Sequence, residues 1–361
     1  MSLSFLLSTA TCALRISFFS LIVICASCQL KNASPSQEIQ PPRLVIHELQ
    51  KRTRLPEDLH MPTRVVDGND IWTRVGQQFT LLNQVGSNTR IDQQLTWLLQ
   101  NRSFLASASN RAGPYLHFIV EGLEEHNLPA ELALLPIIES AYNPVAVSNQ
   151  KAVGLWQFMP ATARDFGLEL TPSYDGRRDI IASTQAAMKY LTRLHKQFDN
   201  DWLLALAAYN AGEGTVSRSI EANRRKGLPT DYWHLNLPRE TQAYVPRLLA
   251  LSMLVGTPAG YGIDLKPVAN EPYFMAVELR HPVDLTQIAL TSGITEKELQ
   301  RLNPAYIRGN TVGGPGHLLV PISKKHLLMA GLDALGKVGE GGAHHSALQL
   351  EQTAVAAVPN E

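Results

Sequence analysis

The stretch that most limits how this 361-residue chain can fold is Leu132-Ala133-Leu134-Leu135-Pro136-Ile137-Ile138-Glu139, an apolar run closed by a carboxylate. A fold has to bury that run, and burial draws Glu139 toward the interior. Desolvation disfavours the ionised form of a carboxyl and raises its proton affinity. A carboxyl that is still protonated near neutral pH can act as a general acid. At a helix edge the same side chain would instead reach water by its stem.

Around this run the pattern is helical. Apolar residues recur at helical spacing from Asp70 to about Ser109, and again from Tyr115 to His126. Asn127 and Pro129 can open a helix holding Glu131 to Tyr142, in which Pro136 should leave the Leu132 carbonyl without its usual partner. Further helices are expected over Ala161–Phe166, from an Asp179 cap to about Phe198, from an Asp201 cap over Trp202–Asn210 with Gly212 and Gly214 as its stop, and over Glu240–Val255. Strand signals come only later, at Phe274–Leu279 and Leu318–Pro321, with two short helical patterns between them. The chain is therefore expected to be mainly α.

The ends read differently. Lys plus Arg and Asp plus Glu are 32 each, so the formal net charge is zero and nothing points to nucleic acid. All three cysteines (Cys12, Cys25, Cys28) fall in the first 28 residues, which leaves the body without a disulfide, a Cys-based zinc site or a thiol nucleophile. Arg15, the apolar run Ile16–Ile24 and the small residues up to Cys28 look like a bacterial secretory signal, too short to span a bilayer. Ala26-Ser27-Cys28 is similar to a lipoprotein processing site, with Cys25 where leucine is usual; a plainly cleaved signal is the alternative. Residues 29–66 are Pro-rich and polar, as in a linker, and residues 336–361 are a Gly/Ala-rich tail expected to be disordered.

Three blocks carry candidate chemistry: Glu139-Ser140 with Ser148 beyond it, Gly154-Leu155-Trp156-Gln157-Phe158-Met159, and Ala208-Tyr209-Asn210-Ala211-Gly212. Gly154 either lets the backbone approach a ligand or only makes a turn. Trp156 and Phe158 suit a core or the stacking of sugar rings. Gln157 offers the donor and acceptor that an N-acetyl amide needs. Tyr209 can meet a buried carboxyl, and Asn210 can serve a helix end. Singly, each has an ordinary structural explanation.

Together, in this order and at these spacings, the blocks resemble the lytic transglycosylases of the goose-lysozyme-like group. Glu131–Pro136, Leu237-Pro238-Arg239-Glu240-Thr241 and Tyr244-Val245-Pro246 fit as well, and Trp156 stands where the soluble branch usually has Met. The resemblance covers roughly residues 70–262. It implies a lysozyme-like (α+β) catalytic domain with N-terminal helices, over 67–262, with Glu139 as its one catalytic carboxyl. Ser140, Ser148, Gln157, Met159, Tyr209, Asn210 and Tyr244 would bind substrate around it. The implied reaction splits the MurNAc-β-1,4-GlcNAc bond of peptidoglycan strands and leaves a 1,6-anhydro end, with no metal or organic cofactor. Ordinary glycosidases need two carboxyls, and none follows Glu139 before Gly154. A goose-type hydrolase and an inactive peptidoglycan-binding scaffold are the alternatives.

Residues 273–322 resemble, more faintly, a LysM glycan-binding module of βααβ order. The resemblance rests on Asp284-Leu285, Gly293-Ile294, Leu302-Asn303-Pro304 and Leu318–Pro321, with His281-Pro282-Val283-Asp284 replacing the usual Gly-Asp-Thr turn. Such a module either binds glycan or packs on the catalytic domain. A lipid anchor at Cys28, with Gln29 after it, implies a periplasmic protein held at the outer membrane.

Overall fold

The computed structural model describes residues 69–86 and 88–335. The signal segment with Cys28, the linker over 29–66 and the tail from 336 lie outside the described residues.

The first helices start where side-chain caps allow. Asp70 accepts from the Trp72 N–H ahead of α1 (Ile71–Gln77), and Asn88 accepts from the Arg90 N–H ahead of α2 (Thr89–Gln100). Helices α3 (Arg102–Ala112) and α4 (Leu116–Glu125) follow.

The single kinked helix expected over Glu131–Tyr142 is corrected. A 3-10 turn over Ala130–Leu134 passes into a short α5 (Leu135–Ser140), with Pro136 in its first turn. A first-turn proline forfeits no helical hydrogen bond, and the Leu132 carbonyl is taken by the Leu135 N–H. Ala141 and Tyr142 then turn left-handed, at φ 51° and 58°, and stop α5 directly after Ser140. Each such residue costs of order 1–3 kcal/mol. Tyr142 offsets this by complete burial and a 2.6 Å hydrogen bond to the Ala133 carbonyl.

Directly before the run stands a fully buried carboxyl, Glu131. Its Oε1 accepts from the Thr80 and Leu81 N–H groups at 2.5 and 2.6 Å. It thereby ties the 3-10 turn Leu81–Gln84 to the start of the run.

Helices α6 (Pro160–Asp165), α7 (Ile180–Gln197) and α8 (Trp202–Ala211) come next, the last two capped by Asp179 and Asp201 as expected. Gly212 alone ends α8. Gly214 lies inside a further helix, α9 (Glu213–Arg225), whose polar, Gly-containing sequence carries little helical signal. Helix α10 (Arg239–Gly256) packs on α1, α2, α5 and α8 and is the centre of the helical core. Pro246 lies within α10 and cannot donate to the Gln242 carbonyl one turn back. The buried Tyr232 hydroxyl lies 3.0 Å from that oxygen and 2.9 Å from the Thr241 carbonyl, so it covers the gap.

The C-terminal module pairs β1 (Phe274–Glu278) antiparallel with β2 (His317–Pro321), Ala276 opposite Leu319. Between them lie α11 (Leu285–Ser292) and α12 (Glu296–Leu302). Asp284 of the altered turn caps α11, accepting from Thr286 and Gln287 N–H at 2.9 and 3.0 Å. Buried Asn303 accepts from the Leu319 N–H and donates to the Leu319 carbonyl, both at 2.7 Å, pinning β2. The module extends past the expected boundary at 322. Helix α13 (Lys325–Ala334) packs on α11 and buries Leu328 and Leu332 in the module's own core. Among the described residues, no helix is long and apolar enough to cross a membrane.

If Tyr232 covers the carbonyl that Pro246 leaves open, Tyr232→Phe should lower unfolding free energy by about 1–2 kcal/mol. In a Pro246→Ala background, which restores the N–H, the loss should shrink. Urea unfolding of the four variants checks this, and strictly additive losses would contradict it.

Candidate active site

Glu139 is the penultimate residue of α5 and is half-buried. The Tyr244 hydroxyl, from the second turn of α10, donates to its Oε1 at 2.5 Å. Burial is the larger influence on the carboxyl and raises its pKa, the Tyr244 hydrogen bond pulls it down, and the Glu240 charge adds a further rise. The result is a pKa of about 7. The local helix alone does not produce this environment; α10 supplies the phenol and part of the cover.

Behind Glu139 runs a tight loop. Isolated bridges pair Val153 with Val147 and with Phe158. Gly154 has φ +90°, and a Cβ there would meet the Arg177 carbonyl oxygen at 1.9 Å. Its freedom serves that close approach. Trp156 is completely buried and donates from Nε1 to Thr184 Oγ1 of α7 at 3.0 Å. Phe158 is also core. Of the two roles open to Trp156 and Phe158, the structure selects core packing.

The expected binding residues fall into two sets. Ser140, Gln157, Tyr209, Asn210 and Tyr244 are joined to the loop, to Glu139 or to the start of α10. Ser140 Oγ is 3.0 Å from the Leu155 carbonyl and 3.2 Å from that of Pro136, tying α5 to the loop. Gln157, itself at φ 49°, holds the Gly154 carbonyl with its Nε2 at 2.9 Å. Tyr209 at the end of α8 donates to the Trp156 carbonyl at 2.7 Å. Burial first, and then the Glu139 charge, push both the Tyr209 and Tyr244 hydroxyls well above their ordinary range, so they stay protonated donors. Asn210 Oδ1 accepts from Thr241 Oγ1 at 2.8 Å, and its Nδ2 lies 3.5 Å from Glu240 Oε1.

Ser148 and Met159 stand at the ends of the loop. Ser148 Oγ accepts from the Gln150 and Ala152 N–H groups at 3.2 and 3.0 Å. Met159 is 42 % exposed, and Val145 and Val147 nearby in sequence are 49 % and 59 % exposed. Exposed apolar side chains of this kind can meet a ligand's apolar faces.

Sequence reasoning missed Glu240. It is an exposed acid in the first turn of α10 that acts electrostatically on Glu139 from more than 100 residues away in sequence. Its place in the Leu237–Thr241 stretch was the only available signal.

Comparison with known proteins divides the chain into two matched units. Residues 117–230 match the transglycosylase SLT domain, and residues 273–337 match the LysM-like domain of lytic transglycosylase MltD. Membrane-bound lytic murein transglycosylase D of Escherichia coli K12 is 42 % identical over 265 residues, 73 % of this chain and 58 % of that protein. The chain thus spans just over half the length of that relative. Soluble lytic murein transglycosylase of Salmonella typhimurium is 34 % identical over 117 residues, 31 % of this chain and 18 % of that protein. The helical part with Glu139 and the βααβ module are therefore separate units in chain order: a transglycosylase SLT domain over residues 117–230, followed by an MltD-type LysM-like domain over residues 273–337.

Proposed function

We propose that this protein is a peptidoglycan lytic transglycosylase that cleaves the MurNAc-β-1,4-GlcNAc bond without water, with Glu139 as its single acid and base. The observation that carries this is the half-buried carboxyl with a pKa of about 7, backed by a phenol donor. A carboxyl whose pKa is raised into the neutral range can both give and take a proton there, which suits an acid that must also work as a base. Glu139 gives its proton to the glycosidic oxygen as the C1–O bond breaks, and GlcNAc leaves as the alcohol. The carboxylate then takes the proton of the muramic C6 hydroxyl while O6 bonds to C1. Intramolecular attack is favoured by effective molarities of order 10⁵ M or more. The Tyr244 hydrogen bond steadies the carboxylate between the two steps.

Met159 and the exposed valines offer apolar surface to the sugar faces, and Gln157, Ser148 and Asn210 offer polar atoms to the hydroxyl and N-acetyl groups. The signal segment and lipidated Cys28 would hold the enzyme in the periplasm at the outer membrane, within reach of the wall. Envelope association agrees with the name of the membrane-bound relative. The hydrolase alternative requires a second carboxylate to activate water, and Glu240 is a carboxylate whose charge is felt at Glu139.

Glu139→Gln should retain the fold and lose at least about a thousandfold in the release of anhydromuropeptides from purified sacculi. Undiminished release removes Glu139 from the mechanism, and reducing muramic ends in the wild-type products indicate hydrolysis. The wild-type rate should fall as pH rises through about 7, because the acid form is lost. Tyr244→Phe removes the influence that lowers the Glu139 pKa, so this alkaline limb should move to higher pH while the maximal rate drops. A limb that stays in place or moves down contradicts the role given to Tyr244.

A further inference from the structure

The LysM-like domain meets the helical part at Phe118–Phe274, at Tyr115–Arg301 and at a short segment, residues 171–179, and of these the last backs the catalytic loop. Five contacts hold it from the module side. The Asp175 N–H donates to the Ala305 carbonyl at 3.0 Å, and the Ile307 N–H to the Ser173 carbonyl at 2.9 Å, on either side of a Tyr174–Tyr306 bridge. The two tyrosine rings pack with centroids 5.5 Å apart. Gly314 of the α12–β2 loop lies against both rings, where a Cβ would come within 2.4 Å of Tyr306 and 2.9 Å of Tyr174. His317, at the start of β2, brings Nε2 to 3.4 Å from Asp179 Oδ2, and the Tyr306 hydroxyl donates to the His317 carbonyl.

From its other side the segment reaches the site. The Arg177 carbonyl is the atom against which Gly154 packs, and the Arg177 guanidinium holds the Lys151 carbonyl at 3.0 Å and both oxygens of Asp175 at 2.9 and 2.8 Å. Asp179 caps α7 through the Ala182 N–H at 2.8 Å. One turn on, Thr184 of α7 receives the Trp156 Nε1–H, and the Trp156 carbonyl receives the Tyr209 hydroxyl beside Glu139. Hydrogen bonds and packed backbone thus run from β2 of the module to Trp156 and Tyr209, whose hydroxyl feels the Glu139 charge.

We propose that the LysM-like domain acts in turnover as a brace, with His317 and Tyr306 as positioning residues that hold residues 171–179 against the 153–158 loop and so set Tyr209 and Glu139 in reacting geometry. This rests on the function proposed above and gives that function's second domain a task other than holding glycan. Ala305 and Tyr306 are buried and Gly314 lies against the two tyrosine rings, so this part of the module faces the enzyme's own 171–175 segment and not a sugar. Small displacements of a reacting group can cost as much as a hundredfold in rate.

The test uses the full chain with His317→Ala, Tyr306→Ala and His317→Gln, whose amide can still donate to Asp179. Leu290→Ser, on a residue 81 % exposed elsewhere on the module, is the control. Turnover is measured on short soluble glycan oligomers, binding by pelleting with sacculi, and loop order by amide hydrogen exchange over 153–158. A brace predicts that the two alanine variants lose about tenfold in kcat on the oligomers. Their KM and pelleting should stay within about twofold of wild type and exchange over 153–158 should rise, while His317→Gln and Leu290→Ser behave like wild type. Unchanged kcat with weakened pelleting makes the module a glycan tether and overturns the proposal. Unchanged loop exchange in both alanine variants overturns it regardless of activity. A wild-type protein that releases no anhydro product rejects the assigned reaction instead, and the exchange measurement still decides the brace.

Discussion

A phenol held against a desolvated carboxyl is the contact on which the rest of this structure depends. Tyr244 and Glu139 are 105 residues apart in sequence and meet at 2.5 Å. Burial alone would keep the carboxyl protonated too firmly to serve as a base, and a fully solvated carboxyl would ionise too readily to serve as an acid. The hydrogen bond from Tyr244 opposes the effect of burial and leaves the pKa near 7. Two helices must cross at this point for that balance to hold. Helix α5 has to end at once after Ser140, which the left-handed Ala141–Tyr142 pair enforces, and α10 has to continue through Pro246, which Tyr232 makes tolerable.

The loop behind Glu139 is held by groups whose hydrogen bonds are already made. Trp156 is anchored to α7, Ser140 to Leu155, Gln157 to Gly154 and Tyr209 to Trp156. Several residues read first as substrate ligands therefore spend at least part of their hydrogen-bonding capacity on the loop itself. A site built in this way needs little reorganisation when charge moves during reaction, which is where preorganised groups contribute most. The 171–179 segment closes the loop from behind and is itself clamped by the C-terminal module, so the order of the site depends on two domains.

The helices were legible where their signals are local. Asp179 and Asp201, read as caps, each cap the helix that follows, and a cap acts within one turn of chain; Asp70, Asn88 and Asp284 cap theirs in the same way without having been read so. Helix α9 was not legible, because its stability comes from packing on α8 and its own sequence is polar and contains Gly214. Helix α13 was missed because the faint module pattern ended at β2, while the apolar face of α13 is completed only by α11. The break at Pro136 was anticipated as a kink inside a helix. The chain instead placed the proline in a first turn, where it costs no hydrogen bond.

The sequence by itself determined that an apolar run must go inside and take Glu139 with it, because hydrophobic periodicity and the position of a charge are properties of neighbouring residues. It also carried the blocks that surround this residue, in order. Only the tertiary structure decided that Trp156 is a core anchor and not a sugar platform, that Glu131 clamps a distant turn, that Glu240 acts on Glu139, and that the module grips the back of the site. Those outcomes depend on which distant groups desolvate or hydrogen-bond one another, and such pairings exist only once the chain has folded.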